Sequence, residues 1–394
     1  MRLTPSFWPA KAGDSSTSVS DLARFIKDYW FLITVLLSAA ASVFYMVAFR
    51  VTPLDKYYEI RDRRERVRFH DSSGKSLLEY GYYAQARTEF QIALDLEPVD
   101  DEATSGRYLS DLFLQFENPD WNPEIGFITQ QELRRSRVWK KQEFRHVVEK
   151  YWGEVASRTF DFPAAKQHYE AALKLKPDYV DALLDYGWFN YFDVPDVSTM
   201  KALFQKATEI APYDYRGFHG LGYALYIQAI AAQDSTQRRE LEEAAAEQSA
   251  RAYKLGVTQL SVLVDFGEVA RPTKPWLSVS FHEFAQEIED DPKMASLPDN
   301  TGILGDRLLA SDEEEMVYLK NGVQKRAWIM YQLALDHLAL CDLGSQTQTN
   351  QMEHDRLVDK ARKLDGDATV LAIYRDQTRI LQRLLPGASC AAYR

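Results

Sequence analysis

Residues 73–98, SGKSLLEYGYYAQARTEFQIALDLEP, form a segment that recurs twice further along the chain. The second copy is WGEVASRTFDFPAAKQHYEAALKLKP at 152–177, and the third is YGWFNYFDVPDVSTMKALFQKATEIAP at 186–212. The prolines that close the last two copies, Pro177 and Pro212, are 35 residues apart. A period of this length indicates a unit that buries its apolar face by stacking on its neighbours. An all-α chain of repeated helix–turn–helix units is therefore predicted.

Each copy carries small residues where two helices would cross. A small residue at a crossing lets the two backbones approach, and an aromatic ring nearby fills the remaining space. A proline then ends the second helix because it cannot donate a backbone hydrogen bond. The crossing glycines are Gly74, Gly153, Gly187 and Gly222. The small–aromatic–small sets are Ala86, Phe90 and Ala93, and Ala165, Tyr169 and Ala172; the closing prolines are Pro98, Pro177 and Pro212.

This pattern resembles the tetratricopeptide repeat (TPR), a helix–turn–helix unit of roughly 34 residues. The resemblance covers about 66–98 and 147–256, with a degenerate pair near 323–366. The third copy departs from the pattern, because Met200 replaces an alanine and one residue is inserted, and a fourth copy begins at Tyr215. The resemblance implies a TPR-like α-solenoid that binds proteins, and it does not specify the partner.

In this family the first helices of the repeats line a concave groove. The family's groove positions, carried over onto the third and fourth copies, are Asp181, Leu184, Trp188, Tyr191, Phe192, Arg216, His219, Tyr223, Tyr226 and Ile227. Such an aromatic strip with one basic edge suits an extended or proline-containing peptide, or the apolar face of a helix. The alternative is that the segment 257–310 or an inserted loop covers these rings and makes them core.

One subclass of the family uses a lysine and an asparagine of these first helices to bind the C-terminal carboxylates of heat-shock chaperones. The equivalent positions here are Asp71 and Lys75 in the first copy, and Lys150 and Glu154 in the second. The resemblance therefore implies that this chain does not bind chaperone tails.

Residues 29–49, YWFLITVLLSAAASVFYMVAF, are an uncharged run of 21. As a helix this run would extend roughly 31 Å, which matches the hydrocarbon core of a bilayer. Aromatic residues at both ends suit the membrane interface. One transmembrane helix is therefore predicted at 29–49, after an N-terminal tail at 1–28, and a bacterial inner membrane is expected. A cleaved signal sequence and a buried core helix are the alternatives.

The side of the membrane is predicted from two conflicting signals. Lysines and arginines are more frequent just after the run than just before it, so the positive-inside rule favours a cytoplasmic domain. Large domains can cross regardless of such charges, and helices ending near 341, over 351–365 and over 367–385 would bring Cys341 and Cys390 together as a disulfide requires. We expect an extracytoplasmic domain, while a cytoplasmic domain with two unrelated thiols remains open.

The remaining segments have weaker patterns. The repeats span 50–256 with an insert at 99–146, in which Thr129 and Glu132 would cap a long basic helix. The segment 257–310 contains four prolines and is expected to be irregular. A helical region at 311–394 is expected to begin at the capping box of Ser311 and Glu314. Arginines crowd at 61–68 and along the basic helix, where a solvated face and an anionic surface are both compatible with the pattern.

Composition and motifs argue against an enzyme. The net charge of −11 disfavours nucleic-acid binding, which needs a basic surface. The seven histidines never lie three or four residues apart, so no helical metal pair is present, and SSGKS (72–76) lacks the first glycine of a phosphate loop. No catalytic residue, cofactor or metal is predicted. The expected function is an anchored adaptor that binds a partner protein through the groove in a membrane complex. The alternative is a structural subunit that contacts partners through its convex face and 257–310.

Overall fold

The computed structural model describes residues 53–117, 122–136, 138–295, 304–307, 316–319, 322–342 and 347–365, and seven single helical positions between 370 and 381. The predicted tail and membrane helix at 1–49 lie outside these residues. Helices dominate the described chain, which confirms the all-α prediction. They are α1 Pro53–Glu79, α2 Tyr83–Leu96, α3 Asp101–Leu114, α4 Pro123–Arg135, α5 Arg145–Arg158, α6 Phe162–Leu175, α7 Val180–Phe192, α8 Val197–Ile210, α9 Tyr215–Ala231, α10 Ser235–Tyr253, α11 Leu260–Ala270, α12 Pro275–Asp290, α13 Pro292–Ala295, α14 Gly322–Asp342 and α15 Thr347–Leu364.

Within the repeats, four pairs of consecutive helices pack along their lengths: α1 with α2, α5 with α6, α7 with α8, and α9 with α10. Beyond them, α11 packs with α12 and α14 with α15, and the latter two lie where the degenerate pair near 323–366 is predicted. In the first three pairs the second helix ends at Leu96, Leu175 or Ile210, each two residues before a proline. The residue before a proline disfavours helical backbone, so the prolines set these ends. The repeated segments of the sequence are therefore repeated helix pairs.

Three of the crossing glycines make room for aromatic rings of the second helices, whereas Gly222 lies against the backbone of α10 at Ala245. An ideal Cβ added to Gly74 would lie 2.9 Å from the ring of Phe90, and one added to Gly187 would lie 2.7 Å from the ring of Phe204. These distances are too short for a real side chain, so the rings occupy the space that an alanine would fill. The sequence pattern predicts this packing.

The insert contains a helix that continues the repeated packing. The ring of Phe90 lies beneath Gly106 of α3 as well, where an added Cβ would be 2.2 Å from the ring. Phe204 lies beneath Gly220 of α9 at the same distance. Helix α3 therefore follows the first pair in the way that α9 follows the third. The repeat pattern of the sequence does not predict this role, because α3 lies in the insert.

The prediction of a long basic helix starting at Thr129 is wrong. Helix α4 begins earlier, because the side chain of Asn122 accepts hydrogen bonds from the backbone N–H groups of Glu124 and Ile125, and Pro123 suits the first helical position. Thr129 lies inside α4, where its Oγ1 is 2.7 Å from the hydroxyl of Tyr151. The helix ends at Arg135, and two short 3₁₀ turns precede α5.

The segment 257–310 is more regular than its prolines suggest. Pro275 occupies the first turn of α12 and Pro292 begins α13, so both start helices, where proline is tolerated. Leu304–Arg307 (β1) and Met316–Leu319 (β2) form an antiparallel hairpin. The next helix, α14, begins at Gly322, after the predicted capping box, which lies outside the described residues.

The largest hydrophobic cluster joins α11, α12, α14 and α15, and it includes Leu263, Phe266, Phe281, Tyr331 and Leu338. Phe218 of α9 belongs to the same cluster, so this core is continuous with the fourth pair. Within the described ranges, none of the helices combines the length and the apolar character needed to cross a membrane.

Candidate partner-binding groove

The predicted groove residues lie on two helices that the fold brings together. Helix α7 carries Asp181, Leu184, Trp188, Tyr191 and Phe192, and α9 carries Arg216, His219, Tyr223, Tyr226 and Ile227. The hydroxyls of Tyr191 and Tyr223 are 3.3 Å apart. The ring of Trp188 lies 5.1 Å from that of His219 and 6.0 Å from that of Tyr223, measured between centroids.

Most of this strip faces the interior. Asp181, Leu184, Tyr191, His219, Tyr223 and Tyr226 are buried. Phe192 is 38% exposed, and Trp188, Arg216 and Ile227 are partly exposed. The aromatic rings therefore pack mainly against one another, and the accessible part of the strip is Trp188 and Phe192 on α7. Binding to a partner remains a prediction at these positions.

A buried lysine lies at the N-terminal end of this strip. Lys150 of α5 is 1% exposed, and its Nζ is 2.9 Å from Oδ2 of Asp181 and 3.0 Å from Oε2 of Glu154. It also contacts Oδ2 of Asp185. The hydroxyl of Tyr83 accepts a hydrogen bond from Lys150 at 2.6 Å and donates one to Asp181. One ammonium group therefore faces three carboxylates, an arrangement named here the lysine cluster.

Burial and charge shift the pKa values of this cluster. Burial alone would lower the pKa of Lys150, but the neighbouring Asp181, Asp185 and Glu154 raise it well above its ordinary value. Burial raises the pKa of Asp185 to about 7, although Lys150 acts in the opposite direction. Arg158 also pairs with Glu154 at 3.4 Å, and Arg216 lies 3.9 Å from Asp181. Among the described residues, Asp185 has Lys150 alone as its cation, and a proton on its carboxyl group near neutral pH relieves the repulsion from Asp181 and Glu154.

The turn between α1 and α2 lies against the same region. The guanidinium of Arg216 donates a hydrogen bond to the carbonyl oxygen of Tyr80 and lies 5.0 Å from the ring centroid of Tyr82. Gly81 has a φ of +78°, and a Cβ on it would lie 2.1 Å from Oδ1 of Asp181. A glycine is therefore required here for both conformation and space. These contacts join the first pair to the third and fourth pairs.

Acidic side chains lie beside the strip, and the accessible arginines Arg158 and Arg216 lie close to them. Asp185 precedes Trp188 by one helical turn, and 32% of its side chain is exposed. On the other side, Asp265 of α11 is also 32% exposed, and its Oδ2 is 2.7 Å from Nε2 of His219. We name this surface, formed by Asp185, Trp188, Phe192, Glu154 and Asp265, the groove face. Carboxylates beside exposed aromatic rings favour a positively charged ligand, which both groups attract.

A second buried network contains a serine, a histidine and an aspartate, but it lacks the geometry of a nucleophile. Oγ of Ser278 and Nδ1 of His282 both bond to Asp336, at 2.6 Å each, so the histidine does not face the serine. Nε2 of His282 is 3.1 Å from the carbonyl oxygen of Val264. Arg271 donates to Asp336 at 2.7 Å. All four side chains are buried, and the network links α11, α12 and α14 through their interior.

Two open clefts lie away from the groove face. One, of about 730 Å³, is lined by α2 and α3 and includes Leu94, Pro98 and Tyr108. Another, of about 620 Å³, lies at the turn between α9 and α10. Among the residues that the structure describes, no group of three or more His, Cys, Asp or Glu side chains is arranged to hold a metal ion.

The two cysteines of the sequence fall in different parts of the chain. Cys341, in the last turn of α14, is fully buried and disulfide-bonded. Cys390, the second cysteine of the sequence, lies outside the described residues.

Sequence reasoning missed two parts of this site. Lys150 and Glu154 are noted only as positions where a chaperone clamp is absent, and Asp185 is not among the predicted groove residues. The spacing of these charges does carry a signal. Lys150 and Glu154 lie one turn apart on the first helix of one pair, and Asp181 and Asp185 lie one turn apart on the first helix of the next pair. No protein-family model matches the chain, and no curated protein shows detectable sequence similarity to it.

Proposed function

We propose that this chain is a membrane-anchored scaffold of the TPR type, whose groove face binds a positively charged segment of a partner protein. The observation that carries the proposal is the accessible stripe of Asp185, Trp188 and Phe192 on α7. Such a stripe offers a carboxylate and two aromatic rings to an incoming lysine or arginine, which can pair with the first and stack on the others.

The partly exposed carboxylate of Asp185 supports a cationic segment, because Glu154 and Asp181 already have Arg158 and Arg216 beside them. Lys150 faces three carboxylates, and Asp185 retains an exposed edge. A cation bound at this edge would replace the proton on Asp185 and neutralise its carboxylate. An acidic segment would instead add a like charge beside carboxylates, which is unfavourable at an interface.

The anchor in this proposal is the uncharged run at 29–49, which is long enough to span a bilayer. A disulfide between Cys341 and Cys390 would favour the extracytoplasmic side, because disulfides persist in oxidising compartments. The arginines that follow the run favour the cytoplasmic side. A protease added to intact spheroplasts distinguishes the two: it degrades an extracytoplasmic domain and spares a cytoplasmic one.

The binding proposal is tested with two fluorescent peptides of equal length, one containing arginines and one containing glutamates. The full-length protein in detergent should bind the arginine peptide and not the glutamate peptide. Asp185→Asn combined with Phe192→Ala should weaken binding about tenfold or more, since both a charge contact and a ring contact are lost. Glu247→Gln removes a carboxylate from an exposed position of α10 and is the matched control. Equal binding of both peptides, or an unaltered affinity in the double variant, would contradict the proposal.

One observation favours the structural-subunit alternative. Trp276 of α12 is 61% exposed, and a large exposed aromatic side chain is typical of a protein interface. If this face holds a complex together, Trp276→Ala should break the complex on native gels, whereas Phe192→Ala should leave it intact. The reverse result favours the groove face.

A further inference from the structure

The first half of α1 extends beyond the body of the protein. Tyr57 is 60% exposed, and the residues from 57 to 66 are exposed except for Ile60, which is half-buried. From Tyr57 onward, Val67 is the first buried residue of this helix. Nearly three helical turns therefore have little contact with other described helices.

The face that packs on the body continues into this exposed half. Buried residues of α1 follow one another at helical spacing: Val67, Asp71, Gly74 and Leu78. The same spacing extends back to Arg64 and Ile60, which lie on the same stripe. Arg64 is exposed, and none of the described helices covers the stripe there.

The exposed half is basic although the whole chain is acidic. Five arginines and three carboxylates lie between 57 and 69, in a chain whose net charge is −11. Arg61 and Arg63 have partners, since Arg61 pairs with Glu65 and Arg63 with Glu97. The other three, Arg64, Arg66 and Arg68, form no ion pair with the described residues. Their charge is available to an anionic surface.

Two tyrosines begin the exposed half. The rings of Tyr57 and Tyr58 lie edge to face at 5.8 Å, and the guanidinium of Arg61 lies 5.2 Å from the ring centroid of Tyr58. Tyrosine favours the boundary between apolar and polar phases because one end of its ring is apolar and the other bears a hydroxyl. An arginine beside it can reach phosphate groups at the same level.

We propose that the first half of α1 lies on the phosphate headgroups of an anionic bilayer and thereby fixes the angle between the repeated helix pairs and the membrane. This inference rests on the proposed anchor at 29–49. The anchor ends only three residues before α1 begins at Pro53. Thr52 precedes a proline and therefore disfavours helical backbone, so α1 does not have to continue the direction of the anchor.

The test uses the full-length protein in vesicles of phosphatidylcholine, with or without phosphatidylglycerol, and a photo-cross-linking amino acid in place of Tyr58. The same amino acid in place of the exposed Leu175 of α6 is the positional control. We expect lipid adducts at 58 and not at 175. Their yield should be several-fold higher with phosphatidylglycerol and should fall as salt is added, because salt screens exposed charges.

The charge variant combines Arg64→Gln, Arg66→Gln and Arg68→Gln, and it should lower the adduct yield several-fold. Its matched control combines Lys166→Gln, Lys174→Gln and Arg239→Gln, which removes the same charge from exposed positions of the body. Unchanged yield in the charge variant, or adducts to a protein at 58, would overturn the inference. Extraction of the chain by alkaline carbonate would show that the anchor itself fails. A chain that resists extraction but forms no lipid adduct at 58 would overturn only the inference about α1.

Discussion

Nζ of Lys150 lies 2.9 Å from Oδ2 of Asp181, although the two residues belong to different helix pairs. Tyr83, which belongs to the first pair, bonds to both of them. A buried ammonium is costly unless carboxylates and hydrogen bonds surround it, and here the partners come from three separate segments. The lysine cluster therefore makes the relative position of the pairs part of the protein's stability.

Lys150→Met should lower the free energy of unfolding by about 3 to 5 kcal/mol, because it leaves buried carboxylates without their cation. Urea unfolding followed by circular dichroism measures the change. Lys174→Met, at an exposed position of α6, should change it by less than about 0.5 kcal/mol. A loss in the Lys150 variant no larger than in this control would show that the cluster adds nothing to stability.

Binding of the arginine peptide should depend on pH because of Asp185. Its pKa is raised to about 7, so a bound cation displaces a proton below that pH and none above it. Affinity should therefore rise up to about tenfold between pH 6 and pH 8. The ionisable groups that face Asp185 are Lys150, Glu154, Asp181, Tyr83, Tyr169 and Tyr179. In Asp185→Asn the dependence should disappear, and its persistence would assign the proton to another group.

Gly106→Ala should destabilise the protein by about 1 to 3 kcal/mol, because the added Cβ would lie 2.2 Å from the ring of Phe90. In a helix, alanine is more favourable than glycine by about 1 kcal/mol. A loss of stability in this variant would therefore occur despite the helix preference of alanine. In a Phe90→Leu background the same substitution should cost less, since the ring is gone. Urea unfolding of the four proteins measures this coupling, and additive losses would exclude the predicted collision.

Asp336→Asn should lower the free energy of unfolding at neutral pH by about 3 to 5 kcal/mol, because Arg271 loses its buried counter-charge. Burial alone would raise the pKa of Asp336, but His282 and Arg271 hold it below its ordinary value. The ionised carboxylate therefore stabilises the fold above the unfolded-state pKa of about 3.9, and this contribution is lost as the pH falls further.

The gap between wild type and Asp336→Asn should accordingly narrow below about pH 4. Urea midpoints across this range measure it, with Asp359→Asn on the exposed face of α15 as the control. A gap that does not depend on pH would mean that the charge of Asp336 is unimportant.

The helix pairs could be predicted because their signals are local. Each of three glycines lies 16 or 17 residues before the ring that packs on it: Gly74 before Phe90, Gly153 before Tyr169, and Gly187 before Phe204. Both residues of each contact therefore lie within a single helix pair. The prolines of 257–310 were less informative, since a proline both ends one helix and suits the first turn of the next. Pro275 lies in the first turn of α12, and this role depends on tertiary packing that cannot be read from the sequence.

The candidate site was predictable only in part for a different reason. Tyr191 and Tyr223 occupy groove positions of the resembled family, but the family pattern does not say how deeply their rings are buried. Asp185 acquires its role from Lys150, 35 residues away, and from the depth at which both lie. How deeply these side chains are buried depends on elements that the repeat pattern does not define, such as helix α3 and the turn at Gly81.

The hydrogen bond from Arg216 to the carbonyl oxygen of Tyr80 joins residues 136 apart in the sequence. Closing so long a loop costs chain entropy, and contacts within each helix pair carry a far smaller penalty. We therefore expect the pairs to form early in folding and this bond to form last. An incompletely synthesised chain would lack it, and with it the contact between the first and fourth pairs. Recognition at the groove face would then be delayed until the fourth pair is complete.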